Sequence, residues 1–373
     1  MNLNRAFIAQ APLCAIAIIL VTVLLQLPPR DHAKSQKSKL ARVDFLGAAS
    51  LISLLALLLV FMDILSTKPE KLTTYLWLIG SAASFLAFLW VEKKIALDPL
   101  TPLRLLFGRD FLGAYLALAF GNVAWYGVIF YVPLLYQATG HFSASAAGTL
   151  LLPGISSAII GGFVGGTILK RGGATGFSRL ALGSYPLVAV ACVGTALGAG
   201  LLWKQTSVVS AITTLSASLF IGGLGNGGGM TATLVVVVVV ASPEDQAVVT
   251  ACVYLYRQLG ATVGLAVLSL VFRQVLAASL IQRLEGAPAM GLDTDEVVRR
   301  VQESLEYLEQ LPEEMRIIVE AAYGEACRAV FLVSAGLAVC AIISALFIKE
   351  KRGRKLELRN VPDEEIAERT GER

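Results

Sequence analysis

Residues 111–136 have the sequence FLGAYLALAFGNVAWYGVIFYVPLLY, and this stretch contains no charged side chain. A helix that crosses a lipid bilayer needs roughly 20 consecutive, mostly apolar residues. The stretch is long enough and apolar enough to cross the membrane once. It therefore predicts a membrane-spanning helix and sets the criterion by which the rest of the chain is searched.

The composition of the whole chain also indicates a membrane protein. Hydrophobic residues make up 56% of the 373 residues, charged residues make up only 16%, and the mean hydropathy is +0.70. A soluble domain carries about 25% charged residues. The net charge of +4 is not gathered on a soluble face, so nucleic-acid binding is not predicted.

The sequence shows no pattern typical of a metal site, a cofactor site or an active site. The five cysteines and two histidines lack metal-ligand or disulfide spacing, so we expect no metal and no cofactor. A P-loop, an HExxH motif and a Ser/His/Asp set are missing from the sequence, and an enzyme is not predicted. A ring of pore-lining charges, which would indicate a channel, is not evident either.

Nine segments meet the length criterion, so the predicted fold is all-α and polytopic, with about nine transmembrane helices. The first has too long an apolar run for a signal peptide and lacks a clear cleavage site, so we interpret it as a span. The seventh exceeds one upright span, and its glycine-rich middle either bends the helix or lets another helix pack closely. The nine segments are residues 6–26, 44–64, 73–91, 111–136, 145–169, 180–203, 208–238, 247–272 and 328–348.

Lysine and arginine counts in the short loops predict the orientation. Basic residues concentrate after the first, third and fifth spans and in the C-terminal tail, whereas the opposite short loops hold only Lys68, Lys71 and Lys204. The C-terminus is therefore predicted to be cytosolic. Nine spans would place the N-terminus on the other side, and an odd number of missing upstream helices would explain this. The alternative is a miscount by one span within 208–240.

One long polar segment, residues 273–327, is predicted to form a loop on the non-cytosolic side. It contains eleven Asp and Glu residues against five Arg residues. A helix is expected from Asp293 or Thr294 to Leu311, and Pro312 is expected to begin another. An acidic loop could attract cationic solutes, but we interpret it as a solvated face.

Several motifs together carry a family resemblance. They are NRAFIAQAPL at 4–13, DFLG at 44–47, PLTPLR at 99–104, YVPLLYQ at 131–137, SPEDQ at 242–246 and RQLG at 257–260. In this order they resemble the fourteen-helix drug:proton antiporters of the major facilitator superfamily. The end of the polar loop, from Leu311 to Arg328, is similar to fungal members, including vacuolar basic amino acid permeases.

The resemblance implies that the nine spans are helices six to fourteen, so that most of the N-terminal six-helix half is missing. Residues 1–27 would be the last helix of that half, 28–110 a cytosolic linker with two extra helices, 111–348 the C-terminal half with its loop at 273–327, and 349–373 a cytosolic tail. The family's proton-antiport motifs would precede Met1. A degenerate copy of its cytosolic loop motif remains at Gly166, Lys170, Arg171, Gly173 and Arg179.

Arg257 is the sharpest candidate for a functional residue, because it lies well inside an apolar segment. A charge near the middle of a bilayer costs roughly 2.5–3.5 kcal/mol on insertion scales, so it must face protein or water. The functional interpretation is contact with an anionic group or a gating pair. The alternative is a structural arginine that bonds helix-end carbonyls or extends to the cytosolic surface.

The remaining cavity candidates are polar or aromatic residues within apolar helices. The resemblance implies that the cavity wall comes from spans four, five, seven and eight. Aromatic and amide side chains suit a weakly selective cavity for bulky solutes, although Trp and Tyr also serve as interfacial anchors, an interpretation that fits Tyr136 well. Tyr254 precedes Arg257 by one turn and could share its face. The candidates are Asn122, Trp125, Tyr126, Asn226 and Tyr254.

The resulting hypothesis is a secondary transporter of small organic solutes. By resemblance it is proton-coupled, exports drugs or moves basic amino acids, and resides in the plasma membrane or the vacuolar membrane. Its expected partners are the lipid bilayer, a small organic or cationic solute and protons. The alternative is a non-transporting truncated protein, or a half-transporter that needs a partner chain.

Overall fold

The computed structural model describes residues 3–24, 44–67, 71–95, 102–172, 176–203, 207–242, 244–285, 299–301, 307–308 and 311–348. These residues form helices and connecting turns, with no strand among them. The chain divides into two compact units, Met1–Val43 and Asp44–Arg373. The first unit contains α1 (Leu3–Leu24).

The second unit contains ten helices in its described part. They are α2 (Phe45–Thr67), α3 (Lys71–Lys94), α4 (Leu103–Leu106), α5 (Leu112–Gly140), α6 (Ala144–Thr149), α7 (Leu152–Gly172), α8 (Gly176–Trp203), α9 (Val208–Val240), α10 (Gln246–Glu285) and α11 (Glu313–Leu346).

Eight helices of the described residues are long and apolar enough to cross a membrane. They correspond to the second through ninth predicted spans. The first predicted span, 6–26, coincides with α1, in which the stretch from Cys14 to Leu24 is apolar but shorter than a full crossing. The all-helical, multi-pass fold predicted from composition and hydropathy is therefore confirmed.

Helix α5 lies at the centre of the second unit, where it packs against α8, α9, α10 and α11. Helix α9 packs against α7 and α8, and α11 packs against α5, α8 and α10. The buried apolar side chains form two clusters. One lies around the start of α5 and the end of α11, and the other lies around the opposite ends of these helices.

Helices α2 and α3 form a hairpin beside this bundle. They pack against each other, and α2 also packs against α10. Much of their surface is exposed, including large apolar side chains such as Ile52 and Leu86. Because such a surface is stable only in an apolar solvent, it indicates contact with lipid.

Helix α9 runs unbroken through its glycine-rich middle, so the structure supports the packing alternative for these glycines. A Cβ atom at Gly223 or Gly227 would overlap backbone carbonyl oxygens of α7. The missing side chains therefore let the backbones of α7 and α9 approach closely, as small residues do at membrane helix interfaces. The six valines at 235–240 complete the same helix, as predicted.

Residues 273–327 were predicted to form a polar loop. The first and last parts of this segment are helical instead. Helix α10 continues to Glu285, and α11 begins at Glu313, as the Pro312 signal indicated, but it then runs without interruption through the last predicted span. At 40 and 34 residues, these helices measure about 60 and 51 Å at 1.5 Å per residue, well beyond a hydrocarbon layer of about 30 Å. Most of the helix predicted between residues 293 and 311 lies outside the described residues.

The extensions of α10 and α11 are held together by polar and aromatic contacts, which explains why the helices do not end at the predicted boundaries. Ser279 Oγ donates to Glu325 Oε2 at 2.7 Å, and Arg283 Nη2 donates to the same oxygen at 3.1 Å. The Phe272 ring lies 5.8 Å from the Tyr323 ring, centroid to centroid. Each extension thus supplies partners for the other.

Candidate solute-binding site

Three of the predicted polar residues lie at a similar depth in the bundle. Tyr126 lies 14 residues after the start of α5 at Leu112, and Asn226 lies 14 residues before the end of α9 at Val240. Arg257 lies 11 residues after the start of α10 at Gln246. At 1.5 Å per residue these offsets are roughly 17–21 Å from the same end, which is near the middle of a hydrocarbon layer about 30 Å thick.

Tyr126 and Arg257 are brought together by the packing of α5 against α10. The Arg257 Nη2 atom donates to the Tyr126 hydroxyl at 3.4 Å, a long contact for a hydrogen bond. The Arg257 Nε atom is buried and has no hydrogen-bond partner among the described residues. None of the ion pairs formed among the described residues includes Arg257. Much of the donor capacity of this guanidinium is therefore unused.

An unused buried donor is costly. Leaving a buried polar group without a partner costs about 1–3 kcal/mol, and more for a charged group. Native proteins keep few such groups, and one in the interior calls for a reason such as a water, an ion or a ligand. Arg257 therefore keeps a buried donor that the described residues do not satisfy.

The open face of α10 next to Arg257 is polar. Exposed side chains recur along the helix with a spacing of three or four residues, and in the middle of α10 they are Tyr254, Gln258 and Thr262. Tyr254 is 46% exposed. Polar residues at this depth in a membrane helix normally face protein or a water-filled cavity and not lipid.

The open faces of two neighbouring helices differ in character from that of α10. The large exposed side chains in the middle of α8 are apolar, for example Val190 and Val193, and those in the middle of α11 are also apolar, for example Leu332 and Val339. Apolar faces of this kind are suited to lipid. The contrast indicates that α10 presents its open face to a polar space, whereas α8 and α11 present theirs to the bilayer.

Asn226 is the polar group of α9 at this depth. It is half-buried, and its side-chain amide makes no hydrogen bond with another described residue. An amide can donate two hydrogen bonds and accept two, so Asn226 has unused capacity for a solute or for water.

Asn122 and Trp125 lie behind the polar face and not on it. Asn122 is 3% exposed, and its amide nitrogen donates to the carbonyl oxygen of Leu118 at 2.8 Å. Trp125 is 6% exposed, and its ring fills space left by two glycines, because a Cβ at Gly222 would lie 2.6 Å and one at Gly154 3.2 Å from ring atoms. The Trp125 ring thus packs α5 against α7 and α9, whereas the hydrogen bond of Asn122 lies within α5.

Tyr136 is not the interfacial anchor that its position near the end of a span suggested. Its side chain is fully buried, and its ring packs edge-on against Phe142 with 5.5 Å between centroids. The chain turns back at His141, in the left-handed conformation at φ 55°, and so carries Phe142 over the end of α5. That interpretation of Tyr136 was wrong because a later segment covers it.

The residues of the degenerate loop motif lie at the end of α7 and the start of α8. Lys170 and Arg171 end α7 with exposed side chains, and Arg179 is exposed in the first turns of α8. Gly166 and Lys170 line a shallow groove of about 420 Å³ together with Gly162, Phe163 and Thr167. Gly173 lies outside the described residues.

Sequence reasoning did not select Gln258 and Thr262, which share the open face with Tyr254. The signal was present in the sequence, because residues 254, 258 and 262 are polar or partly polar at a spacing of four and therefore lie on one side of a helix. The open side of α10 could not be identified before its packing partners were known.

Among the described residues, no group of three or more His, Cys, Asp or Glu side chains could hold a metal ion.

The sequence profile described as "Major Facilitator Superfamily" matches residues 3–265, which is most of the chain. The chain belongs to the Major Facilitator Superfamily. Members of this superfamily are transporters and not enzymes, in agreement with the prediction. This major facilitator is an integral, multi-pass membrane protein.

Three curated relatives of this major facilitator are fungal transporters. It is 29% identical over 347 residues to the vacuolar membrane amino acid uptake transporter fnx2 of Schizosaccharomyces pombe, with 92% of this chain and 57% of the relative covered. It is 26% identical over 352 residues to the multidrug resistance protein fnx1 of the same organism, with 93% and 64% covered. An MFS-type efflux pump of Arthroderma benhamiae is 25% identical over 365 residues, with 94% and 63% covered.

The chain therefore spans 57–64% of the length of these relatives. The predicted resemblance to fungal members of the major facilitator superfamily, including amino acid permeases and multidrug transporters, is confirmed.

Proposed function

We propose that this chain forms the solute-binding C-terminal half of a secondary transporter for small organic solutes. The observation that carries the proposal is the contact between Tyr126 and Arg257 at mid-depth, beside the polar open face of α10. Secondary transporters of this architecture bind their substrates near the bilayer midplane, between two structural repeats. The polar residues of α5, α9 and α10 lie at that level.

Alternating access in such proteins is largely a rigid-body rocking of one repeat against the other. Two features suit α5–α11 to move as one body: the central position of α5 and the close approach of α7 and α9. The open face of α10 would then form one wall of the cavity, with Asn122 and Trp125 supporting it from behind. The opposite wall would come from a second half.

The proposals for the substrate, the coupling ion and the membrane rest on the relatives alone. One relative is named an amino acid uptake transporter of the vacuolar membrane and another a multidrug resistance protein, so we propose basic amino acids or drug-like solutes as substrates. Coupling to protons and residence in the vacuolar or plasma membrane are proposed with them. A cytosolic C-terminus is proposed from the distribution of lysine and arginine in the loops. In that orientation Arg104, Lys170, Arg171 and Arg179 all lie on the cytosolic side.

A second candidate is a half-transporter, or a non-transporting protein, that requires a partner chain. The observation in its favour is that no described helix covers Tyr254, Gln258 and Thr262, the polar face of α10. An immunoblot against residues 350–373 would measure the size of the native product. A band at 39.6 kDa favours the partner-dependent candidate, and a much larger band favours a full-length transporter.

A flux assay tests the proposed function directly. The 373-residue chain is reconstituted in proteoliposomes, alone and after co-expression with the part of fnx2 that it does not match, and uptake of radiolabelled lysine and of a fluorescent rhodamine is measured. We expect no flux by the chain alone and saturable flux by the pair.

The Arg257→Gln variant should lower this flux at least tenfold, which corresponds to the loss of a hydrogen bond to a charged group. The matched control is Arg109→Gln, which removes one exposed arginine outside the site. Saturable flux that is insensitive to Arg257 would rule out the proposed site, and flux by the chain alone would contradict the requirement for a second half. Failure of both preparations to transport any solute would refute the proposed function.

A further inference from the structure

We infer that Arg257 and Tyr126 form an anion-binding subsite that selects solutes carrying a carboxylate group. The inference rests on the proposed function and specifies one part of the ligand. It starts from the guanidinium of Arg257, whose Nη2 contacts the Tyr126 hydroxyl and whose Nε is a buried donor without a partner.

The described carboxylates of the bundle lie far from Arg257 along the helices. Asp110 precedes α5, and Glu244 and Asp245 precede α10. On the neighbouring hairpin, Asp44 precedes α2, Glu92 lies two residues before the end of α3, and Asp63 lies beside Arg273. The four described acidic residues of α11 occupy its first 13 positions, at the other end of the bundle. Arg257 lies more than two helical turns from the start of α10 and about four turns before Arg273, the next charge on that helix. No described acidic side chain at this depth is available to neutralise it.

The geometry of a guanidinium matches that of a carboxylate. Arginine presents its donors as a planar fork, and a carboxylate accepts two parallel hydrogen bonds from it. With Nη2 at the Tyr126 hydroxyl, the buried Nε remains to donate to one carboxylate oxygen, and the tyrosine hydroxyl itself can donate to the other. The pair thus combines an unpaired arginine donor with a hydroxyl donor, and both kinds of donor can serve an anion.

The rest of the open face is suited to the remainder of such a solute. Tyr254, Gln258 and Thr262 provide an aromatic ring and neutral polar groups. An amine or an aromatic cation can stack on the ring of Tyr254, because the ring face attracts cations. A zwitterion or an organic acid is therefore accommodated along this face, whereas a solute that carries only positive charge is repelled by Arg257.

The test uses pairs of solutes that differ only in the carboxylate. The pairs are lysine with its methyl ester, and a rhodamine dye that has a free benzoate group with its methyl ester. Each solute is assayed in the transport-competent preparation of the flux assay, and its half-saturation concentration is measured. The discrimination is the half-saturation concentration of the ester divided by that of the acid.

The wild-type protein should prefer the acid at least tenfold in one of the pairs, as expected for a charge-assisted hydrogen bond. Arg257→Gln should reduce the ratio to about one. Arg257→Lys should retain part of the preference, because lysine keeps the charge but not the planar fork. Tyr126→Phe should lower the ratio by a smaller factor, and Arg109→Gln should leave it unchanged.

The outcomes separate the two proposals. Transport that shows no preference for the acid, or a preference that survives Arg257→Gln, overturns the anion subsite and leaves the transporter standing. An equal loss for acid and ester in Arg257→Gln also overturns it, because the arginine would then serve a conformational contact. Failure to transport every solute in every preparation would instead refute the proposed function. Size-exclusion profiles matching the wild type establish that each variant is folded.

Discussion

Arg104 Nη2 lies 3.1 Å from both carboxylate oxygens of Asp245, although the two residues are 141 positions apart in the sequence. Arg104 belongs to the PLTPLR motif before α5, and Asp245 belongs to the SPEDQ motif before α10. The contact joins the two motifs at one end of the bundle. Ser242 Oγ donates to the same carboxylate at 2.8 Å, and Tyr256 OH donates to the Leu106 carbonyl oxygen at 3.0 Å nearby.

The Arg104–Asp245 contact should contribute little to overall stability. The Arg104 side chain is 76% exposed, and exposed ion pairs are worth about 0.2–1 kcal/mol. Asp245→Asn should therefore lower the thermal unfolding midpoint slightly, and Arg104→Gln should add almost nothing in the double variant. A fluorescence-detected melting curve of the single and double variants measures this coupling. Additive losses would show that the pair does not interact in solution.

The α2–α3 hairpin should be docked on α10 through Asp63 and Arg273. Arg273 Nη1 lies 3.3 Å from Asp63 Oδ1, and α2 packs along α10. In the double variant Asp63→Cys, Arg273→Cys, a short bis-maleimide should therefore form an intramolecular cross-link, detected by mass spectrometry after proteolysis. The control pair, Lys94→Cys with Arg273→Cys, joins opposite ends of the bundle and should remain unlinked. Equal yields for the two pairs would contradict the docking.

Gly227→Ala should destabilise the protein, because a Cβ at this position overlaps the carbonyl oxygen of Ala158, a backbone atom that cannot rotate away. Forcing extra atoms into a close-packed contact costs about 1–3 kcal/mol. The control Gly183→Ala adds the same methyl group on α8, where nothing lies within 4 Å, and should be neutral or slightly stabilising. In the same detergent, the thermal midpoint of Gly227→Ala should fall below that of the wild type, and that of Gly183→Ala should equal or slightly exceed it.

Tyr185 and Thr233 form a buried interhelical hydrogen bond of 2.9 Å between α8 and α9. Such bonds between membrane helices contribute on average about 0.6 kcal/mol. Tyr185→Phe should lower the free energy of unfolding by roughly this amount and leave solute flux intact. Tyr75→Phe, on the exposed face of α3, provides the matched control. A loss of several kcal/mol in Tyr185→Phe would indicate that the hydroxyl has a role beyond this bond.

Hydropathy located all eight described helices that are long and apolar enough to cross a membrane, because a chain in lipid must satisfy its backbone hydrogen bonds within each helix. It placed the ends of α10 and α11 less well. The extensions from Arg273 to Glu285 and from Glu313 to Cys327 carry charges, so they resemble a loop by composition. Partners such as Glu325 and Arg283, which are distant in sequence, keep them helical.

The candidate site was predicted in part. Arg257 could be selected from the sequence, because a charge within an apolar segment is conspicuous whatever its neighbours. The assignment of a face to each aromatic residue could not be made in the same way. Tyr136 and Trp125 are buried, whereas Tyr254 is open. The spacing of Tyr254, Gln258 and Thr262 marks one polar side of α10, but it does not tell which side the neighbouring helices leave open.

The sequence by itself therefore determined that the chain is a helical membrane protein, where its eight longest apolar segments lie, and that Arg257 is an unusual charge. These conclusions depend on the transfer of side chains from water to lipid, which is a property of each segment alone. Only the tertiary structure decided that Arg257 meets Tyr126, that the open face of α10 is polar, and that α7 and α9 touch through glycines. These features depend on which helices are neighbours and how each is rotated about its axis, and the packing of the whole bundle sets both.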